Sequence, residues 1–169
     1  GDLLTKDALF ETALAIMQTD AEILYADEDR RDAKGRRFSD PYFKPDFSLD
    51  YLYAADYMSR IMVVRRSLFL ALRFREEYED APEYDFVLRA PKSGIHHISR
   101  ILCHVWQKGG PLPESLDARK RALEDYFRLR GVKASVRSTR GRDILEIEYI
   151  PDIFTSRRMV GIVGGKVLD

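Results

Sequence analysis

The first part of the chain carries apolar residues at helical spacing, followed by a short apolar run. Between residues 8 and 17, apolar side chains recur every three or four positions behind Thr5, a candidate N-cap. This pattern predicts a helix of about four turns. Residues 23–25 are apolar and precede acidic residues 27–29, so they predict a strand that ends at the acids.

The middle of the chain alternates polar loops with short apolar segments. Residues 30–46 contain glycine, prolines and several basic side chains, which predicts a long loop of the kind that usually serves a function. Ser48 is a candidate cap of a short helix, and residues 61–64 give the clearest pattern of a buried strand. Residues 67–79 follow a period near that of a helix.

A short helix and a long strand are predicted next. Residues 82–89 predict a helix whose first turn carries acids, an arrangement that the helix dipole favours. Pro91 and Gly94 end this helix. Residues 95–106 alternate as a strand or a pair of strands, and they contain all three histidines of the chain.

The character of the sequence changes after this strand. Residues 108–113 are rich in glycine and proline and form a candidate linker, so the predicted division of the chain is 1–110 and 111–169. The second part is interpreted as a helix-and-hairpin extension or a linker to a further domain. Residues 160–165 give a weak signal for one more strand.

The extension itself has clear local signals. Ser115 is a candidate cap of an amphipathic helix that stops at Gly131. Residues 132–138 and 144–150 are rich in β-formers and flank a turn around Gly141, which predicts a hairpin.

Composition narrows the class of protein without naming a function. With 45% hydrophobic residues, nine Phe and nine Tyr, the chain is expected to fold as a globule. Lys plus Arg and Asp plus Glu both count 28, so no net charge attracts nucleic acid, and we expect no nucleic-acid partner. A single cysteine, Cys103, excludes an intramolecular disulfide framework. Without a signal peptide or a membrane-length apolar run, the cytoplasm is the expected location.

The acidic run Asp27, Glu28 and Asp29 is the first candidate for chemistry. Three adjacent carboxylates repel one another unless a cation or hydrogen-bond donors offset their charge. The cluster is therefore a candidate site for a divalent metal, a phosphate-bearing ligand or a hydroxyl-rich substrate. The alternative is a cap at the strand end that anchors a loop containing arginines. The loop arginines are Arg30, Arg31, Arg36 and Arg37.

Several motifs in one order resemble a known enzyme family. The chain reads Asp-Leu-Leu at 2–4, Tyr-Ala-Asp-Glu-Asp at 25–29, Pro-Tyr-Phe-Lys-Pro-Asp-Phe at 41–47, Glu-Tyr-Asp at 83–85 and an Ile-to-His run at 98–104. Together with Gly-Arg-Arg at 35–37 and Leu-Arg at 88–89, these resemble the second half of a family 2 glycosyltransferase of GT-A fold. The resemblance covers residues 1 to about 107.

The resemblance implies a fold and an activity. The fold class is α/β, a partial GT-A-like mixed sheet with flanking helices, plus the C-terminal helix and β-hairpin. The activity is transfer of a sugar from a nucleotide-sugar donor to a saccharide or lipid-linked acceptor, in bacterial cell-surface polysaccharide synthesis. The implied place is the cytoplasm or the inner face of the membrane. A truncated sheet would leave an edge, so a homodimer is a further expectation.

The resemblance also implies a metal and a missing half. The parent enzyme would use Mg²⁺ or Mn²⁺, and Asp2 falls where the family's metal-binding DxD motif ends. A late histidine sometimes completes the metal shell, which makes His97, or else His104, the second candidate ligand; the alternative for each is a structural histidine. Because the nucleotide-binding half would precede residue 1, the chain alone is expected to be inactive or weakly active.

The predicted catalytic residues are Glu83 and Asp85. In the family, a short helix that opens with acids carries the general base that deprotonates the acceptor hydroxyl. Glu83 takes the place of the family's usual Asp, whereas Asp85 keeps its identity. Side chains two apart on a helix point in different directions, so one of them is expected to face the acceptor. The alternative is helix-dipole capping by both acids.

Six further residues are predicted to bind the substrate. They are Asp27, Asp29, Lys44, Asp46, Arg89 and Trp106. The two acids of the cluster would position the acceptor, Lys44 and Arg89 could pair with diphosphate, and Trp106 could stack on a sugar. The alternatives are a salt bridge for the charged residues and core packing for Trp106.

Two other function classes remain open from sequence. A non-catalytic, truncated or degenerate transferase domain that acts as an interaction module would explain the Glu at position 83 and the missing half. A metal-dependent phosphotransferase that uses the three acids is the weakest alternative, because no phosphate-cradling Gly-rich loop with a Lys-Ser/Thr partner is present.

Overall fold

Two sheets and five helices make up the part of the chain that the structure, a computed structural model, describes. The described residues are 1–32, 34, 37–78, 80–106, 113–139 and 143–151. The strands are β1 Leu3–Leu4, β2 Ile23–Arg31, β3 Phe38–Tyr42, β4 Met62–Val64, β5 Ile95–Trp106, β6 Ala134–Ser138 and β7 Leu145–Tyr149. The helices are α1 Ala8–Gln18, α2 Leu49–Ala54, α3 Arg66–Leu72, α4 Pro82–Arg89 and α5 Pro113–Leu129.

The larger sheet is mixed. Its strand order is β1-β5-β2-β3, and β4 also pairs with β2. β2 and β5 run parallel at the centre, whereas β1, β3 and β4 pair antiparallel with their neighbours. β6 and β7 form a separate antiparallel hairpin. The predicted fold class is confirmed: a mixed sheet with flanking helices and a C-terminal hairpin, consistent with a partial GT-A-like fold.

The acids at residues 27–29 lie inside β2 and not at its end, so the predicted end of this strand is wrong. β2 continues to Arg31 because β5 pairs with it on one side and β3 on the other. The pairing with β5 shifts register on both sides of Asp27. The side chains of these acids contact His97 and His104 on β5 and Lys44, which follows β3.

Residues 38–42, predicted as part of a loop, form the edge strand β3. All five side chains are exposed, so the segment has no apolar alternation that sequence reasoning could detect. Asp40 has a φ of 51° and precedes Pro41. The strand β4 is present as predicted but it is not buried, since Val63 is 37% exposed. β4 pairs only with β2 among the described strands, which leaves its other side open.

The start of α2 and the bounds of α4 agree with the sequence, whereas the start of α1 does not. The Ser48 hydroxyl accepts a hydrogen bond from the Tyr51 amide at 3.3 Å, which confirms the cap of α2. α4 covers the predicted residues, and α3 is the first part of the predicted helix at 67–79. α1 starts at Ala8 behind Asp7, so Thr5 is not its N-cap. No helix in the described part of the chain is long and apolar enough to cross a membrane.

The C-terminal elements pack on the same core as α4. Ala122 and Leu123 of α5 and Leu145 of β7 are buried in one cluster with Tyr84 and Phe86. The predicted helix and hairpin are thus confirmed, although α5 begins at Pro113, before the predicted cap Ser115.

Gly131 ends α5 as expected. Its φ of +68° is a left-handed conformation that glycine adopts without steric cost. The proposed linker residues 108–112, the turn at Gly141 and the weak strand signal at 160–165 lie outside the described residues.

Shortening Leu123 to alanine is expected to lower the free energy of unfolding of the whole chain by about 3 kcal/mol. Leu123 is fully buried in the core that α4 and α5 share, so the change leaves a cavity there. Urea unfolding followed by circular dichroism measures the effect. The matched control Leu129→Ala removes a side chain of the same helix that is 68% exposed, and little change is expected. A separate transition for the extension, with the rest unchanged, would contradict the shared core.

Candidate functional site

A cleft lies between the segment that leads into β4, the helix α3 and the first turn of α4. Its volume is about 520 Å³. Its polar lining consists of Ser59, Arg60, Arg66 and Glu83, and its apolar lining consists of Met62, Val64, Phe69, Phe74 and Phe86. A cleft of this size suits a small-molecule ligand, and a mainly apolar wall with a few polar groups is typical of such sites. It contains one of the two predicted catalytic residues.

Glu83 brings a carboxylate to this cleft. Pro82 fixes the first backbone turn of α4, and Glu83 follows it in the half-buried first turn. The positive end of the helix dipole stabilises a negative charge there. Within the described part of the chain, the Glu83 carboxylate forms neither an ion pair nor a hydrogen bond with another side chain. It is therefore open to a ligand in the cleft.

Asp85, the other predicted base, points into a different environment. It is 1% exposed and accepts hydrogen bonds from Arg75 Nε at 3.1 Å and from Arg89 Nε at 2.9 Å. A second nitrogen of each guanidinium contacts the same carboxylate. The hydrogen bond to Asp85 also raises the pKa of Arg75. With both oxygens engaged, Asp85 is placed as an anchor of α4.

Arg89 fulfils the structural alternative given for it. Beyond Asp85, its Nη1 donates to the carbonyl of Leu72 at 2.8 Å and its Nη2 donates to the carbonyl of Arg73 at 2.7 Å. These bonds tie the end of α3 to α4. The guanidinium therefore has a protein partner at each of its nitrogens, which is the salt-bridge alternative predicted for it.

The far end of α4 is fixed by Lys92. Its Nζ donates to the carbonyls of Val87, Leu88 and Ala90 at 2.7, 2.7 and 2.9 Å. Burial lowers the pKa of Lys92 to about 8. Three carbonyl acceptors suit an ammonium group with three donors, so the C-terminal carbonyls of α4 are satisfied. Both ends of the helix that carries Glu83 are thus held.

Asp27 and His97 form a buried pair across the central strands. Asp27 Oδ1 lies 2.8 Å from His97 Nε2 and accepts a hydrogen bond of 2.8 Å from the Lys44 amide. His97 Nδ1 lies 3.4 Å from Asp46 Oδ1, and its ring stacks on Tyr25 at 4.8 Å. These contacts attach the segment before α2 to the sheet. They place Asp27, Lys44, Asp46 and His97 together, as a polar cluster apart from the cleft lining.

The remaining acids of β2 have partners too. Glu28 Oε2 lies 3.0 Å from Lys44 Nζ, and Asp29 Oδ1 lies 2.5 Å from His104 Nδ1. The alternative interpretation of this acidic run was that its carboxylates anchor the loop that contains the arginines. The structure shows anchoring, but the partners are a lysine and two histidines, counting His97. Arg36 of that loop lies outside the described residues.

The two predicted metal ligands lie at opposite ends of β5. Asp2 Oδ1 accepts a hydrogen bond from the Trp106 amide at 2.9 Å, and Asp2 Oδ2 lies 3.8 Å from Arg60 Nη1. His97 pairs with Tyr25 near the start of β5. Asp2 and His97 therefore do not fit one shared ion. Across the described residues, no group of three His, Cys, Asp or Glu side chains could hold a metal.

Of the nine residues that line the cleft, Glu83 was predicted from the sequence as a site residue and the other eight were not. The eight include Arg60, Arg66, Phe69 and Phe74. Trp106, which was predicted, is half-buried at the end of β5 and is not part of the cleft lining. The sequence shows Arg66 only as the end of an apolar run and the two phenylalanines only as part of a helical period. These three residues line the cleft with α4 because β4 pairs with β2 in the folded chain. No spacing within the sequence predicts this proximity.

Replacing Asp27 by asparagine is expected to lower the free energy of unfolding by about 2 kcal/mol, because it weakens two buried hydrogen bonds to a charged acceptor. Urea unfolding of the full chain measures the loss. Asp20→Asn is the matched control, since Asp20 is exposed and pairs only with the exposed Arg65 among the described residues. If Asp27→Asn kept full stability but abolished thermal stabilisation by Mn²⁺, the metal interpretation of this acid would replace the anchoring one.

The chain is similar to parts of two much longer proteins. No family model matches the sequence. The chain is 37% identical over 148 residues to the O-antigen biosynthesis protein RfbC of Myxococcus xanthus, which covers 81% of this chain and 12% of that protein. It is 35% identical over 140 residues to the uncharacterized protein y4gI of Sinorhizobium fredii, covering 75% of this chain and 15% of that protein. The chain thus spans a small part of each relative.

Proposed function

We propose that this chain is the acceptor-side part of a glycosyltransferase that acts in bacterial polysaccharide biosynthesis. The enzyme would transfer a sugar from a nucleotide-sugar donor to a saccharide or lipid-linked acceptor. The observation that carries the proposal is the unpaired Glu83 carboxylate in a cleft of about 520 Å³. The similarity to a protein named for O-antigen biosynthesis and the order of the family-2-like motifs support it.

Glu83 acts as the general base in this proposal. The acceptor hydroxyl would lie within hydrogen-bond reach of the carboxylate. As its oxygen attacks the anomeric carbon, the hydroxyl proton passes to Glu83 and the bond between that carbon and the donor's diphosphate oxygen breaks. The sugar is then joined to the acceptor oxygen, and the nucleoside diphosphate leaves. Asp85 has a positioning role, because its two arginines fix the helix on which Glu83 stands.

A requirement for Mg²⁺ or Mn²⁺ remains a prediction about the enzyme. Such an ion would neutralise the departing diphosphate. The separation of Asp2 from His97 does not support a site shared by these two residues, so no step above depends on a metal. Donor binding, action at the inner face of the membrane and a homodimer are likewise proposals.

The proposal is tested on the polypeptide that the gene encodes and, in parallel, on residues 1–169. Each is incubated with Mg²⁺ or Mn²⁺, a panel of UDP-, GDP- and dTDP-sugars and saccharide or lipid-linked acceptors, and released nucleoside diphosphate is measured. We expect acceptor-dependent release by the encoded polypeptide and little or none by residues 1–169. Absence of release by the encoded polypeptide with every donor would reject the transferase and favour an interaction module.

A further inference from the structure

Two arginines in the cleft lack a close carboxylate partner. Within the described residues, Arg66 forms no ion pair, and Arg60 reaches only Asp2, at 3.8 Å between groups that are 57% and 42% exposed. An exposed contact of that length contributes little. By contrast, Arg75 and Arg89, the last residue of α4, are both paired with Asp85. The guanidinium groups of the cleft are therefore available to an anion from outside the chain.

The same cleft presents two exposed aromatic rings in a fixed arrangement. Phe69 and Phe74 are 38% and 45% exposed, and their centroids are 5.3 Å apart with an angle of 88° between the planes. Both rings pack on Phe86, which is fully buried, at 5.9 and 5.8 Å. None of the residues of α3 is fully buried, so part of the Phe69 ring stays accessible to a ligand. Because the two planes are nearly perpendicular, the pair presents aromatic surface in two orientations, and an exposed ring face can pack against the C–H face of a sugar.

The cleft lining carries charges of both signs, and each sign selects a different group of a ligand. Arg60 and Arg66 attract a carboxylate or phosphate, and their planar guanidinium groups can bind either one through two hydrogen bonds. Glu83 would repel the same anion and instead accepts a hydrogen bond from a hydroxyl. A ligand that satisfies all three groups therefore carries an anionic group, a free hydroxyl and an apolar face.

We propose that the cleft binds an anionic saccharide as the acceptor. Its ring would lie against Phe69 and Phe74, its carboxylate or phosphate between Arg60 and Arg66, and its reacting hydroxyl at Glu83. This assignment of the acceptor class rests on the proposed transferase function. A uronic acid and a sugar phosphate would supply the same chemistry, and the experiment separates them.

The test is binding to residues 1–169, measured by isothermal titration calorimetry at low salt with glucose, glucuronic acid, glucose 1-phosphate and UDP. Glucuronic acid or glucose 1-phosphate should bind about tenfold or more tightly than glucose, as expected for hydrogen bonds to a charged group. The tighter of the two identifies the anion. Arg66→Gln should remove this preference, and Phe69→Ala should weaken binding of the preferred sugar about tenfold or less.

Two control variants distinguish loss of the cleft contacts from the general loss of a positive charge or of an apolar side chain. Arg121→Gln removes an exposed positive charge on α5, and Leu70→Ala shortens an exposed neighbour of Phe69 that does not line the cleft. Both should bind like the parent chain. Equal affinity for glucose and both anionic sugars, or an effect of Arg66→Gln on UDP alone, would overturn the proposal.

The binding assay needs no turnover, so its failure is distinct from failure of the transferase function. Sugar transfer by the encoded polypeptide without any preference for anionic sugars would reject the acceptor class and keep the function. Preference for anionic sugars without transfer would reject the function and keep an anionic-saccharide site.

Discussion

Glu83→Gln is expected to lower the turnover of the encoded polypeptide by about 10²- to 10⁴-fold, the usual contribution of a general base. Glutamine keeps the size of the side chain and its capacity for hydrogen bonds, but it cannot take the acceptor proton. Because the Glu83 carboxylate has no partner among the described residues, the loss is limited to its interaction with the helix dipole, and the free energy of unfolding should fall by about 1 kcal/mol or less. Release of nucleoside diphosphate and urea unfolding, measured on the same preparation, give the two values.

Glu76→Gln supplies the matched control. Glu76 is exposed in the single 3₁₀ turn Glu76–Tyr78, which lies between α3 and α4, and it does not line the cleft, so the same chemical change there should leave turnover intact. Glu83→Asp should retain part of the activity, because the shorter carboxylate is still a base. If Glu83→Gln turned over at the parent rate, Glu83 would not be the base.

Much of the fold was predictable because its signals are local. The α4 boundaries follow from Pro82, from the acids of the first turn and from the proline after the helix. β5 follows from a long alternation, and the hairpin of β6 and β7 follows from two runs of β-formers that flank a turn. In each case a few consecutive residues contain the information that determines the element.

The structure departs from the prediction where distant residues meet. Asp27 is 70 positions from His97 and Asp29 is 75 positions from His104, so no spacing within the acidic run shows which partners neutralise it. β3 is an edge strand held by backbone pairing with β2, and its exposed side chains carry no periodic pattern. Propensity could not detect it, since pairing and not side-chain burial forms the strand.

The candidate site depends on both a local sequence signal and contacts between residues that are distant in sequence. The sequence predicted Glu83 in the first turn of a helix, and the structure confirms that position. The cleft around it was not predictable, because β4, α3 and α4 each contribute one wall. The role of Asp85 also depended on tertiary contacts, since Arg75 comes from outside its helix and only Arg89 stands one helical turn away.

Asp85→Asn is expected to lower the free energy of unfolding by about 3 kcal/mol, because it leaves two arginines beside a buried, neutral side chain. The value lies at the low end for a broken buried pair, since the side chains of Arg75 and Arg89 keep 27% and 18% exposure. Urea unfolding measures the loss. Asp80→Asn, at an exposed acid just before α4, is the matched control and should be close to neutral.

Asp85→Asn also tests whether Asp85 positions α4 or is itself the general base. If Asp85 positions the helix, the folded variant at low temperature should retain a measurable part of the parent turnover, and the preference for anionic sugars should weaken together with stability. If the variant were as stable as the parent chain but as inactive as Glu83→Gln is expected to be, the base would be Asp85. Both oxygens of Asp85 contact guanidinium groups, so a proton acceptor there would require Arg75 or Arg89 to move first.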